Sequence, residues 1–258
     1  MIDDTIDMIS KDTILDQLRS TSNDIAKEFD TVFDLELTEF AEEMAISYQI
    51  LHDVTNRVDQ SRISDADFQS ALLFWTALNT YLGAIELFRR GYSKEPQMLL
   101  RNILEIFCAA YDIHKNPEKL VILRNNPKDF DSKKSIGIVK KINPLIAQMW
   151  GKFSGSFSHV GIFHTLPHKT APFCIGGLYN PEEKKAVLCG LIAPLNLVLD
   201  CLNSTLELAF VTEIANSRFW KQGSPSGYIF SRSKKSLERG KRIMEKMETL
   251  LSMDRKKE

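Results

Sequence analysis

Apolar residues in this chain recur at steps of three and four over most of its length, a spacing that fits helices and leaves little room for strands. Leu37, Phe40, Met44, Tyr48, Leu51, Thr55 and Val58 trace one face of an amphipathic helix. Ser64, followed by Asp65, Ala66 and Asp67, reads as an N-cap with acids in the first turn. The helix it opens stops at Gly91, and its Phe68, Leu72, Trp75, Leu78, Leu82 and Ile85 are expected to face the core. Ser93 can cap the next helix, with Pro96 tolerated in the first turn, and QMLLRNILEIFCAAYDIHKN carries that helix to Asn116-Pro117. A short helix near Pro117 to Arg124 follows, then a helical stretch over 132–158 interrupted at Asn143-Pro144. Asn180-Pro181-Glu182-Glu183 combines a cap, a proline at the first helical position and an acid three residues after the cap. That helix is expected to reach about Ala215, with a kink at Pro194. The expected fold is all-α, a helical bundle with a long loop or small hairpin, around Phe173, between the later helices. Its parts are an acidic helical region over 1–62 packing on the core, a helical core over 63–220, and a linker with a basic C-terminal helix over 221–258.

Of the 258 residues 43% are hydrophobic and 26% charged, enough apolar side chains for a real core. Cys108, Cys174, Cys189 and Cys201 show no CxxC spacing, which predicts reduced thiols rather than a disulfide framework. The start, MIDDTIDMISKD, is acidic and has no basic segment leading into an apolar run, so no secretory signal is expected. The most apolar stretch, from Ala186, meets Asp200 too early for a membrane span and contains Pro194 and Asn196. A cytoplasmic protein with no membrane contact is the expectation.

A formal net charge of −1 hides a gradient: residues 1–70 carry 17 acidic and 5 basic side chains, whereas residues 218–258 carry 5 acidic and 12 basic. Three readings follow. The basic end binds nucleic acid or another acidic surface, with Lys234, Lys235, Arg239, Lys241 and Arg242 as the phosphate contacts, or the two ends lie against each other, or both are simply solvated faces.

Three of the five histidines, His159, His164 and His168, fall in KFSGSFSHVGIFHTLPHK. With Cys174 they have the chemistry of a zinc set, the basis for a metal-dependent hydrolase as an alternative reading. Pro167, however, keeps His164 and His168 off one regular helical turn, and there is no HExxH. No metal and no cofactor are expected, and His159 is placed at a helix end facing the core. Arg101, Glu105, Cys108 and Asp112 share one face of an otherwise apolar helix. Charges on such a helix either pair internally or line a polar cleft. In the second case Ser156, Ser158 and His159 would join them, with Glu105 or His159 as acid/base groups. A further stripe, Asn196, Asp200, Asn203 and Glu207, reads as a solvated face opposite Leu195, Leu199, Leu202 and Leu206. No GxGxxG, P-loop or GxSxG is present, which leaves phosphate-cradling and serine-hydrolase readings without support.

Arg101 and Glu105 on an apolar central helix, then a helix ending in the SxxH of Ser156 to His159, then a long helix, resemble a group of bacterial all-helical proteins compared with the HEPN superfamily (higher eukaryotes and prokaryotes nucleotide-binding). The resemblance spans roughly residues 65–217. It implies a protein that binds or acts on RNA or nucleotides, in phage defence or a toxin system, and a ribonuclease if it is an enzyme. Arg101, Glu105, Ser156 and His159 would form its centre. Superfamily ribonucleases use an arginine followed within a few residues by histidine; here no histidine has such an arginine, and Lys152 before His159 is the nearest substitute. A differently built or non-catalytic site is therefore expected, and a protein-interaction module or homodimer with a structural polar core is the alternative.

Overall fold

The computed structural model describes residues 11–56, 64–92, 94–156, 181–211, 216–224 and 227–254. They form helices α1 (Lys11–Asp16), α2 (Ser22–Asn56), α3 (Asp65–Arg89), α4 (Glu95–Lys115), α5 (Glu118–Asn125), α6 (Ser132–Val139), α7 (Pro144–Ser156), α8 (Pro181–Phe210) and α9 (Lys234–Asp254). Two antiparallel strands, β1 (Trp220–Ser224) and β2 (Gly227–Phe230), complete the set. The fold is an all-α bundle. Its hairpin lies in the stretch read as a linker, pinned where Trp220 stacks edge-on against Phe230 and donates its indole N–H to the Ser204 carbonyl at 2.8 Å. The hairpin expected around Phe173 lies outside the described residues.

Local chemistry explains the bounds of α3. Ser64 accepts the Asp67 amide at 3.1 Å and donates to the Asp67 carboxylate at 2.8 Å, closing the first turn. At the other end Gly91 takes φ 86°, the left-handed conformation that costs a side-chain-free residue least. There the Gly91 amide bonds to the Phe88 carbonyl and the Tyr92 amide to that of Leu87, the double closure of a Schellman ending. Ser93, the expected cap of α4, lies outside the described residues, and the α4 N-cap position is Lys94, whose side chain makes no capping bond.

The core is built where α3 and α4 pack, with α2 and α8 over α3 and α6 and α7 against α4. Here the structure corrects the expected face of α3. Leu78 and Ile85 are buried, but Leu72, Trp75 and Leu82 are 40%, 38% and 48% exposed and Phe68 is half-buried. The inward face carries Ser70, Ala71, Phe74, Ala77, Tyr81 and Ala84 instead. Its small residues let the α4 backbone come close, and Ser70 donates to the Ala110 carbonyl at 2.8 Å across that contact. By length and composition α3 would also suffice to cross a membrane, although 44% of its most apolar window is buried inside the protein.

Candidate functional site

Two groups of charged side chains stand out, and they differ in their access to water. The first lies on α4. Arg101 and Glu105 pair one helical turn apart, with Nε and Oε1 3.2 Å apart, and their side chains are 20% and 28% exposed. The guanidinium lies over the Trp150 ring of α7, 5.0 Å from its centroid. Arginine preceding glutamate is the weaker order for such a helical pair, so the indole supplies much of what holds Arg101 in place. Packing of α7 on α4 thus brings the helix that ends at Ser156 beside the Arg101–Glu105 pair. Of Ser156 only the backbone is described, and His159, His164, His168 and Cys174 lie outside the described residues.

The other two members of that helical face go elsewhere. Cys108 is fully buried, and burial pushes its thiol well above the ordinary range. Asp112, also fully buried, accepts from Asn116 at 2.7 Å and Ser135 at 2.6 Å and forms an ion pair with Lys119. It ties α4 to α6, away from Arg101. Near the same end of α4, His114 Nδ1 sits 2.6 Å from Asp67 Oδ1 and its ring meets Phe210 edge-on. Burial pushes this imidazole below its usual range, outweighing the upward pull of Asp67.

The second group is enclosed between α2, α8 and the C-terminal segment. Asn196, Asp200, Asn203 and Glu207, expected on a solvated face, are all buried, with Asp200 and Asn203 fully so. The partners that cover them arrive from far along the chain. Asp200 accepts from Arg232 Nε at 2.8 Å, Ser236 Oγ at 2.5 Å and Arg239 Nη2 at 3.3 Å. Burial raises its carboxyl above the ordinary range, and the two arginines and the serine pull it back. Glu207 takes the Arg218 backbone amide at 2.9 Å and the Ser217 hydroxyl at 2.7 Å, while the Arg218 guanidinium spans Glu207 and Glu43. Ser47 donates to Asn203 at 2.8 Å.

The acidic start and basic end of the chain meet here. From α2, Glu36, Glu39 and Glu43 are buried, and Lys246, Arg242 and Arg218 reach them. Lys235 pairs with Glu42 nearer the surface. Lys246 also donates to the Val32 carbonyl at 2.9 Å, beside the non-helical Phe33 that bends α2. Arg239, expected among the phosphate contacts, is corrected: its side chain is 0% exposed, bonded to Asn196 at 2.5 Å and stacked 5.2 Å from the Phe40 ring centroid. Of the other expected contacts, Lys234 and Lys241 are 91% and 79% exposed, beside Glu238 and Glu245, whereas Arg242 is 32% exposed and held by Glu39.

Periodicity alone does not reveal this seam, because the polar stripes of α2, α8 and α9 face one another and not water. The signal that finds it is the charge gradient together with polar residues on α8 at helical spacing. Among the described residues no group of three or more His, Cys, Asp or Glu side chains is placed to hold a metal ion. No family model matches the chain, and no curated protein or solved structure matches it either.

Proposed function

We propose that this is a HEPN-like helical protein that binds RNA or nucleotides at the α4/α7 surface, in the setting of bacterial phage defence or a toxin system. One observation supports the reading most: the Arg101 guanidinium carbon lies over Trp150, 5.0 Å from the ring centroid, beside Glu105, with part of each charged side chain open to water. A guanidinium resting on an indole offers a planar cation to phosphate and, at its edge, an aromatic surface for a base. Glu105 pairs with the arginine, and Ser156, the last residue of α7, and His159, three positions on in sequence, are the proposed remaining members of the site. Any turnover would be ribonucleolytic. The buried bases of α9 are committed to acids inside the protein, so binding would rest on Arg101 more than on the C-terminal helix.

The test is the 260/280 absorbance ratio of purified protein, then titration with labelled single-stranded RNA. Co-purifying nucleic acid that high salt removes, and at least about tenfold weaker binding for Arg101→Ala, are expected, since a charge-assisted contact is lost. RNA binding unchanged in Arg101→Ala, or no binding by the wild type, overturns the reading. A second reading, a non-catalytic interaction module, is favoured by the exposed apolar residues Leu72, Trp75 and Leu82 of α3.

A further inference from the structure

Acidic residues make up 34 of the 258 positions, about one in eight, yet none falls between Asp131 and Glu182. That interval carries six lysines, and five of them, Lys133, Lys134, Lys140, Lys141 and Lys152, lie in α6, the turn after it and α7, all exposed. Both helices turn their apolar sides inward: Ile136, Val139, Ile146, Met149 and Phe153 are buried, which leaves the lysines outside. Asn143 fixes the corner between the two helices by donating to Ser204 of α8 at 2.9 Å. Lys133 and Lys140 are seven positions apart, two helical turns or about 10 Å, and Lys140 keeps helical backbone angles at the end of α6, so both project from one side. The basic residues of α9 are largely spent on acids inside the chain, but these are not. Among the described residues only Lys134 has a carboxylate within 4.0 Å, that of Asp131, and its side chain is 80% exposed.

Like charges held together on packed helices repel one another, and the ligand that relieves this repulsion is a polyanion. We infer that the α6–α7 surface is the backbone track of a single-stranded polynucleotide, whose phosphates follow the lysines toward Arg101. The inference rests on the nucleic-acid reading above and adds to it the surface and the length of the ligand. Length follows from how the two helices are anchored on α4. Ser135 of α6 bonds to Asp112, and Trp150 of α7 lies under Arg101, eleven positions earlier on α4 and about 16 Å away. One phosphate cannot span that distance, whereas a chain of several nucleotides can. A single strand fits because its bases are free to meet an aromatic side chain, and Trp150, two positions before Lys152, is only partly buried. A lipid surface fits less well. An interfacial helix inserts an apolar face, and among the described residues neither α6 nor α7 exposes a large hydrophobic side chain.

The test is titration of the full chain, at several salt concentrations, with a labelled oligouridylate about ten nucleotides long. Lys133→Gln, Lys140→Gln, Lys141→Gln and Lys152→Gln are combined in one variant, and because all four side chains are exposed, circular dichroism should show it folded. Its affinity at low salt should fall at least about tenfold. The slope of log affinity against log salt should flatten by about 0.7 for each lysine lost, about 3 in all. Lys234→Gln combined with Lys241→Gln, on α9, should change neither quantity appreciably. Uridine monophosphate should bind far more weakly than the oligonucleotide, and equally to the wild type and the four-lysine variant. Unchanged affinity and slope in the four-lysine variant overturn the track, and the Arg101 site outlives it if Arg101→Ala still abolishes binding. Loss in the four-lysine variant with none in Arg101→Ala upholds the track and overturns the Arg101 site. An equal loss in the α9 variant overturns the track, and so does uridine monophosphate binding as tightly as the oligonucleotide. A wild type that binds no oligonucleotide overturns both, and lysine-dependent binding to phosphatidylserine vesicles in its place assigns the surface to lipid.

Discussion

Asp200–Arg239 and Arg101–Glu105 are both arginine–carboxylate pairs on long helices, yet they occupy opposite regimes. In the first, both side chains are fully buried, and Arg232, Ser236 and Asn196 complete the shell. In the second, both side chains touch water and an indole supplies the support. Enclosed ions are held by a network whose members cannot leave singly, because each departure strands a charge in a medium that solvates it poorly. Open ions lose little on separation, since water replaces the partner. The enclosed pair therefore fixes the architecture, whereas the open pair keeps its access to water.

Breaking the enclosed pair should have the largest effect. Arg239→Ala leaves Asp200 with fewer partners and exposes no new solvation, so it should destabilise the protein by about 3–5 kcal/mol in chemical denaturation. A loss below about 1 kcal/mol would mean that the seam is far wetter than its burial implies. Arg242→Ala comes next: this guanidinium is 32% exposed, and the surrounding water should limit the loss to about 1–2 kcal/mol. Arg101→Ala should cost about 1 kcal/mol or less, one partly exposed ion pair and one cation–π contact, while changing RNA binding far more than stability.

Smallest of all is a pH effect from His114. Its folded-state value lies below the ordinary 6.5, so the unfolded chain takes up the proton first. The His114 contribution is therefore complete above about pH 6.5 and is lost as pH falls from there toward the depressed folded value. Denaturation midpoints measured across this window should decline toward acid, and His114→Gln should flatten that decline. An unchanged slope in the variant would assign the pH dependence to other groups.

Legibility in the sequence follows the range of the determining interactions. The limits of α3 were readable because Ser64, Asp67 and Gly91 act within one turn of themselves. The inward face of α3 was not, because Leu72, Trp75 and Leu82 are more hydrophobic than Ala71, Ala77 and Ala84, yet the alanines permit the closer helix contact. Asn196, Asp200, Asn203 and Glu207 read as a wet stripe because nothing nearby in sequence neutralises them; Arg232 and Arg239 lie more than thirty positions away from Asp200. Arg101 and Glu105 were legible as a pair, since both sit on one helix, but Trp150 was not, since its role depends on how α7 crosses α4. Cys108 and Asp112 share their spacing, but Cys108 is sealed in the core and Asp112 is committed to Asn116, Lys119 and Ser135.

The seam also has a consequence for the order in which the chain is made. Glu36 waits for Lys246, 210 positions later, Glu39 for Arg242, 203 positions later, and Glu43 for Arg218, 175 positions later. On the ribosome these three glutamates are therefore synthesised long before their counter-charges exist. Until Arg218 and α9 emerge, the row has nothing to neutralise it and no reason to leave water. Closure of the bundle is deferred until α9 has been made, and a nascent chain stalled before residue 218 holds an α2 with a hydrophobic stripe ready to pack and an acidic stripe that resists burial.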